Sequence, residues 1–121
     1  GKGVDLIVDQ VSGGVMNNNL RATRILGRIV NVGRLGGFTG ELDFDLHAAR
    51  RIDYIGVTFR TRSEEEVAEI IRLMKDDLWG AVEAGTFTIP IDKEFPLDAA
   101  MEAHQYMKDN QHFGKILLTM S

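Results

Sequence analysis

Val4-Asp5-Leu6-Ile7-Val8-Asp9, closed by Ser12-Gly13-Gly14, and Arg28-Ile29-Val30-Asn31-Val32, closed by Gly33, decide the fold class between them. Each is a short run rich in β-branched residues and bounded by glycine, the pattern of a strand buried on both faces. Between them Met16, Leu20 and Thr23 recur at helical spacing up to Leu26, and Gly27 stands where a helix would stop. The spacing predicts a helix over 16–26, although Asn17-Asn18-Asn19 makes its first turn intrinsically weak. Strand, helix and strand joined by short connections form a right-handed crossover with parallel pairing.

Working outward, Gly33-Arg34-Leu35-Gly36-Gly37-Phe38-Thr39-Gly40 is a glycine-rich loop, 44–51 reads as a short helix, and 53–59 is a third strand. Ser63-Glu64-Glu65-Glu66 is a capping box that opens a long helix ending by Gly85. Val67, Ile70, Ile71, Met74, Leu78 and Val82 give that helix an apolar stripe, expected to pack on the sheet. Residues 86–92 read as a strand whose Pro90 confines it to an edge or bulge. Pro96 introduces a last helix with Leu97, Ala100, Met101, His104 and Met107 on one face, and 114–120 closes the chain as a strand. The fold class is α/β: three βα units on a parallel sheet, then a strand-helix-strand tail.

With 121 residues, 44% hydrophobic and 26% charged, the chain has the composition of an ordinary globular domain. It has no cysteine, which excludes disulfides and thiolate zinc sites. No apolar stretch approaches the roughly 20 residues of a membrane span, and the first residues carry no signal or transit pattern, so a cytoplasmic setting is expected, with no membrane partner. A net charge of −4 argues against nucleic acid as a partner. The charge is divided: 1–62 holds nine basic and six acidic residues, 63–121 five and twelve. A mildly positive first half suits an anionic ligand, and equally an uneven spread of solvated charges.

If the three strands are parallel, the loops after Asp9, Val32 and Phe59 meet at one carboxyl edge, where open α/β sheets bind ligands. No strand is followed by G-x-G-x-x-G; Gly33-x-x-Gly36-Gly37 has another spacing, and the chain has no Walker lysine motif, G-x-S-x-G or H-E-x-x-H. His104 is expected to be a partly buried structural residue, and His47 and His112 lack the spacing of a metal site. Asp9, at its strand end, suits either a sugar hydroxyl or the capping of the next loop. Arg60 and Arg62 flank the third loop, within reach of an anion or of solvent alone.

Gly3-Val4-Asp5-Leu6-Ile7-Val8-Asp9, Leu26-Gly27-Arg28-Ile29-Val30-Asn31-Val32-Gly33, the segment Phe95 to His104, and His112-Phe113-Gly114-Lys115-Ile116-Leu117-Leu118 occur in an order that resembles the medium-chain dehydrogenase/reductases. The resemblance is to the C-terminal part of their zinc-free quinone oxidoreductase branch and runs from Gly3 to Met120. It implies that 1–85 is the second half of a Rossmann nucleotide-binding domain, and 86–121 a tail that returns to a GroES-like catalytic domain. A truncated portion of this kind is expected to bind NADP or NAD weakly or not at all by itself, to hold no metal, and to carry no catalytic residue.

The same resemblance assigns cofactor contacts residue by residue. Gln10, Val11 and Ser12 correspond to the segment under the nicotinamide ribose. Val32, Gly33, Arg34, Leu35 and Gly36 correspond to the backbone lining the nicotinamide, where glycine would spare a flat ring a clash. Thr58, Phe59 and Arg60 correspond to the third loop, near the carboxamide. In that family a hydride passes between nicotinamide and a quinone or enone, so this chain is expected to serve an oxidoreductase while being inactive alone. A homodimer is expected. The alternative is a non-catalytic dimerisation or binding module built from a half-sheet, with Val4–Asp9 or 53–59 as the pairing edge.

Overall fold

A computed structural model describes residues 2–120. The chain divides into two compact units, Gly1–Glu64 and Glu65–Ser121.

In the first unit β1 (Val4–Asp9), β2 (Thr23–Asn31) and β3 (Asp53–Gly56) form one sheet in the order β1-β2-β3, with both pairings parallel. α1 (Met16–Ala22), preceded by a 3-10 turn at Gly13–Val15, joins β1 to β2, and α2 (Phe44–Arg50) joins β2 to β3. The α/β crossover read from the sequence is therefore present. Its core is Met16, Leu20, Ile29 and Ile52, with Ile7, Leu42 and Leu46 against it. The connection into α2 is fixed by Asp43, whose side chain accepts from Leu46 N at 2.9 Å, while its own N–H donates to Asn17 Oδ1 at 2.8 Å. His47 Nε2 bonds the Ile52 carbonyl at 2.8 Å, a structural contact that closes the helix onto β3.

Three expectations are corrected here. The first helix stops at Ala22, not Leu26, and Thr23 opens β2. The Thr23 hydroxyl donates to Asn19 O and its side chain is fully buried, so the β-branched residue is recruited into the sheet. The residues between Thr23 and Arg28 form a bulge: Val4 pairs with Thr23 but Leu6 with Arg28, and Leu26 takes φ 60°. Gly27 thus lies inside a strand. Second, β1 is an edge strand and is not buried on both faces: Val4, Leu6 and Val8 are exposed. An apolar run shows that a strand suits burial; it does not show what covers it. Third, the regular third strand ends at Gly56, although Val57 N still donates to Asn31 O.

In the second unit α3 (Glu64–Glu83) is the long helix that the capping box opens. It ends where Gly85 takes φ 68° and the amides of Thr86 and Phe87 return to Ala81 O. Along its stripe Val67 and Ile70 are partly buried, and Ile71, Met74, Leu78 and Val82 are 42–49% exposed. β4 (Ile91–Pro96) and β5 (Lys115–Thr119) pair in parallel across α4 (Ala100–Lys108), the strand-helix-strand tail. The strand expected at 86–92 is displaced to 91–96, because Pro90 has no N–H for a ladder and serves only as an acceptor for Lys115 N. Phe95 and Ala103 are the buried apolar residues here. His104, expected to be partly buried, is exposed, because the buried side of so short a helix is narrow and Ala103 occupies it.

Candidate functional site at the carboxyl edge of the first sheet

The parallel ladder of β1 and β2 does not stop where the strands stop. Val32 N and Gly33 N both donate to Asp9 O, Leu35 N to Gln10 O at 3.1 Å and Gly36 N to Val11 O at 2.8 Å, so the first two loops are zipped together. Asp9 turns the first loop. It is 4% exposed, and its Oδ1 accepts from Val11 N at 2.9 Å and Ser12 N at 3.0 Å, which decides between the two roles left open for it in favour of the cap. Ser12 Oγ donates to Gly33 O at 2.7 Å, and Asn31 Nδ2 donates to Ser12 Oγ, locking the second loop on the first from the side-chain layer.

The third loop is tied in more loosely. Arg34 Nη2 reaches Val57 O at 3.4 Å, and Thr58 holds its own turn, its Oγ1 accepting from Arg60 N and its carbonyl from Arg62 Nε at 3.1 Å. The structure therefore brings Gln10, Val11, Ser12, Val32, Gly33, Arg34, Leu35 and Gly36 into one backbone assembly, with Thr58, Phe59 and Arg60 beside it. The reason for the glycines differs from the expected one. A Cβ on Gly33 would strike Gln10, on Gly36 would strike Val11, and on Gly13 or Gly40 would strike the backbone of the facing loop. Glycine is required there by loop-on-loop packing.

Beneath these loops, on the face that α1 and α2 cover, lies a cavity of about 180 Å³. Strand register explains its chemistry. Ile7, Ile29 and Tyr54 form one row across the sheet, and Asp9, Asn31 and Gly56 form the next, two residues on and so on the same face. Of these two rows Asn31 and Tyr54 line the cavity, and at Gly56 the second row has no side chain and nothing within 4 Å of where one would stand. Ser12 and Arg34 line the cavity as members of the sequence-derived set; Asn31, Tyr54 and Phe38 line it and were missed. Period-two alternation of Asn31 with Ile29 was the signal that could have found Asn31.

Electrostatically the site is mixed. Asp9 Oδ2 is buried without a hydrogen-bond partner. Burial, and then the Asp9 charge, push the Tyr54 phenol above its ordinary value, with Arg34 acting the other way. Tyr54 is therefore a hydrogen-bond donor at neutral pH. Among the described residues no three His, Asp or Glu side chains come together as metal ligands, and with no cysteine in the chain the donors for a zinc site are not supplied here. Among the described residues no helix is long and apolar enough to cross a membrane.

Residues 1–118 match the zinc-binding dehydrogenase family. Quinone oxidoreductase of Rattus norvegicus is 26% identical over 120 residues, covering 98% of this chain and 35% of that protein. Polyketide synthase GfsB of Streptomyces halstedii is 31% identical over 118 residues, covering 97% of this chain and 2% of that protein. Among solved structures, an NAD-dependent alcohol dehydrogenase superposes with a TM-score of 0.73 at 29% identity, over 99% of this chain and 32% of that one. Mycobacterial Rv1454c complexed with NADPH superposes with a TM-score of 0.74 at 21% identity, over 98% and 36%. The chain spans 35% or less of the length of these curated relatives. With a match across nearly its whole length, a parallel α/β sheet and the same fold in its structural neighbours, the chain belongs to the zinc-binding dehydrogenase family of the medium-chain dehydrogenase/reductases.

Proposed function

We propose that this chain supplies the nicotinamide-facing portion of an NAD(P)H-dependent oxidoreductase that reduces a quinone or enone. The observation that carries the proposal is the zipped carboxyl-edge assembly of 10–12 and 32–36, with 58–60 beside it. Its side chains suit a flat ring: Val11, Val32, Leu35 and Phe59 all keep exposed apolar surface on these loops. The bound dinucleotide would supply the hydride. The chain's own part is to hold Gln10, Val11 and Ser12 under the ribose, to present the Val32–Gly36 backbone along the ring, and to place Thr58, Phe59 and Arg60 near the carboxamide. No residue here acts as a covalent nucleophile, so its contribution is orientation and local electrostatics. The family description names zinc, but the donors for it are not among the described residues, and no step is assigned to a metal.

In this reading 1–85 is half of a nucleotide-binding domain and 86–121 a tail belonging on a catalytic domain, working in the cytoplasm as a homodimer. NADPH titrated into the chain should bind with a dissociation constant of roughly millimolar or weaker, shifting backbone amides of 10–12, 32–36 and 58–60, with no turnover of a quinone. Micromolar affinity would overturn the argument that the chain is a portion of the site, and shifts confined to other residues would overturn the site itself.

The exposed edge of β1 favours a second reading, a non-catalytic module that dimerises by strand pairing. The two readings part on NADPH: a dimer by light scattering with no NADPH shifts at 10–12, 32–36 and 58–60 supports the module, and shifts there, or a monomer at working concentration, remove it.

A further inference from the structure

In the second unit Lys93 and Phe95 stand two apart on β4 and so on one face of it, while Glu102, Gln105, Tyr106 and the capping Asp109 form one stripe along α4. These six residues line a hollow of about 310 Å³, which shares no residue with the carboxyl edge of the first sheet. Phe95 is buried and Tyr106 half-buried, with ring centroids 5.9 Å apart. The Lys93 ammonium lies 4.8 Å from the Phe95 centroid and 4.9 Å from that of Tyr106. Tyr106 donates its hydroxyl to Asp92 Oδ2 at 2.9 Å, which fixes the ring and leaves its face richer in electrons for a cation. Among the described residues neither Lys93 nor Glu102 makes an ion pair, so the ammonium rests on ring faces alone.

We propose that this hollow is a binding site for a small quaternary ammonium ion, whose place on Phe95 and Tyr106 the Lys93 ammonium holds until the ligand displaces it. The two rings are the selecting element. A quaternary ammonium has no N–H, holds water weakly and spreads its charge over methyl groups that fit ring faces, whereas a primary ammonium must give up strong hydration. Lys93 yields its place at small cost, since it is exposed and its long stem can carry the charge into water. Once it swings out, the wall holds Glu102 and Asp109 and no cation. Those carboxylates lie roughly 10 Å apart along the helix, one on each side of Tyr106. Asp109 Oδ1 accepts from Gln105 Nε2 at 2.6 Å, which ties it to the same stripe. An anion would gain Lys93 and face both carboxylates. The volume stands at the lower end of small-molecule sites, about 300–1,000 Å³, enough for a trimethylammonium head and a short substituent.

The test titrates the whole chain with choline and follows the ring shifts of Phe95 and Tyr106 with the backbone amides of 92–113. Choline should bind with a roughly millimolar dissociation constant. Dimethylbutanol, which has carbon in place of the charged nitrogen, and ethanolamine, which has the charge without the methyl groups, should each bind several-fold more weakly. Lys93→Met removes the internal competitor and should tighten choline several-fold, and Lys93→Gln serves if that variant does not fold. Glu102→Gln, on an exposed side chain, should weaken choline about two- to five-fold. A short peptide bearing trimethyllysine, the other source of the same head group, should bind no tighter than choline. Dimethylbutanol or ethanolamine equal to choline, a Lys93 variant that binds choline no better than the unsubstituted chain, a peptide tighter than choline, or shifts confined to residues outside 92–113 overturns the proposal. NADPH is read at 10–12, 32–36 and 58–60, so its outcome and this one are independent.

Discussion

Two parallel sheets in one chain meet very different fates. In the β1-β2-β3 sheet, the middle strand has a neighbour on each side and helices on one face, and Leu20, Ile29 and Thr23 are wholly buried. The β4-β5 sheet has two strands, one short helix, and only Phe95 and Ala103 buried among its apolar residues, while Ile89, Ile91, Leu117 and Leu118 stay open. Parallel pairing has no hairpin to hold it and draws its stability from cover. A covered strand pair can therefore extend its ladder into loops and shape a cavity beneath them. The bare pair holds Phe95 against Tyr106, with ring centroids 5.9 Å apart and Lys93 Nζ over both rings, beside a hollow of about 310 Å³ that opens to solvent.

The largest effect that sharpens this contrast is expected at Leu20. Leu20→Ala removes a wholly buried side chain from the centre of the better core and should cost about 2–5 kcal/mol in chemical denaturation. In the unsubstituted chain, native-state hydrogen exchange should find β2 amides much slower than those of β4 and β5. Equal protection in the two sheets would break the comparison.

Glycines give the next contrast, with opposite signs. Gly40→Ala drives a methyl group into the Gly13 carbonyl and should destabilise by about 1–3 kcal/mol, with shift changes through 10–13 and 33–40. Gly80→Ala lies inside α3 with nothing within 4 Å of the added carbon. It should stabilise the helix by about 0.5–1 kcal/mol, read as a higher denaturation midpoint. A destabilising Gly80→Ala would show that α3 meets a partner surface at that position.

These differences also mark what could be read from the sequence. Strand and helix types follow from periodicity, and the capping box at Ser63 foretells α3. The end of α1 was misread because Gly27 imitates a helix stop, whereas burial of Thr23 and the Leu26 bulge are tertiary choices that local spacing does not carry. The loop residues were legible through family resemblance, but the purpose of their glycines was not, since the facing backbone lies more than 20 positions away. Asn31 and Tyr54 went unseen for the same reason. Each sits in a strand that reads as ordinary, and only the sheet register sets the Ile7–Ile29–Tyr54 row beside the Asp9–Asn31–Gly56 row.

The finest comparison is between the two tyrosines, both of which ionise above the ordinary value of about 10 but for different causes. Tyr106 is raised chiefly by donating its hydroxyl to Asp92 Oδ2 at 2.9 Å, on an open surface. Tyr54 is raised first by burial and only then by Asp9. Asp92→Asn should therefore remove most of the Tyr106 shift, whereas Asp9→Asn should leave Tyr54 still raised, as read from tyrosine ring carbon shifts against pH. The sign for stability follows. A phenol whose folded value lies above its unfolded value contributes stability that is complete below the unfolded value and disappears as pH rises through the folded one. The contribution of Tyr54 should accordingly be lost on the alkaline side of pH 10, and Tyr54→Phe should flatten that part of the stability profile. A Tyr54 shift abolished by Asp9→Asn would instead make the cavity wall a charge-controlled surface like that of Tyr106, and the distinction between a covered and a bare sheet would not extend to its tyrosines.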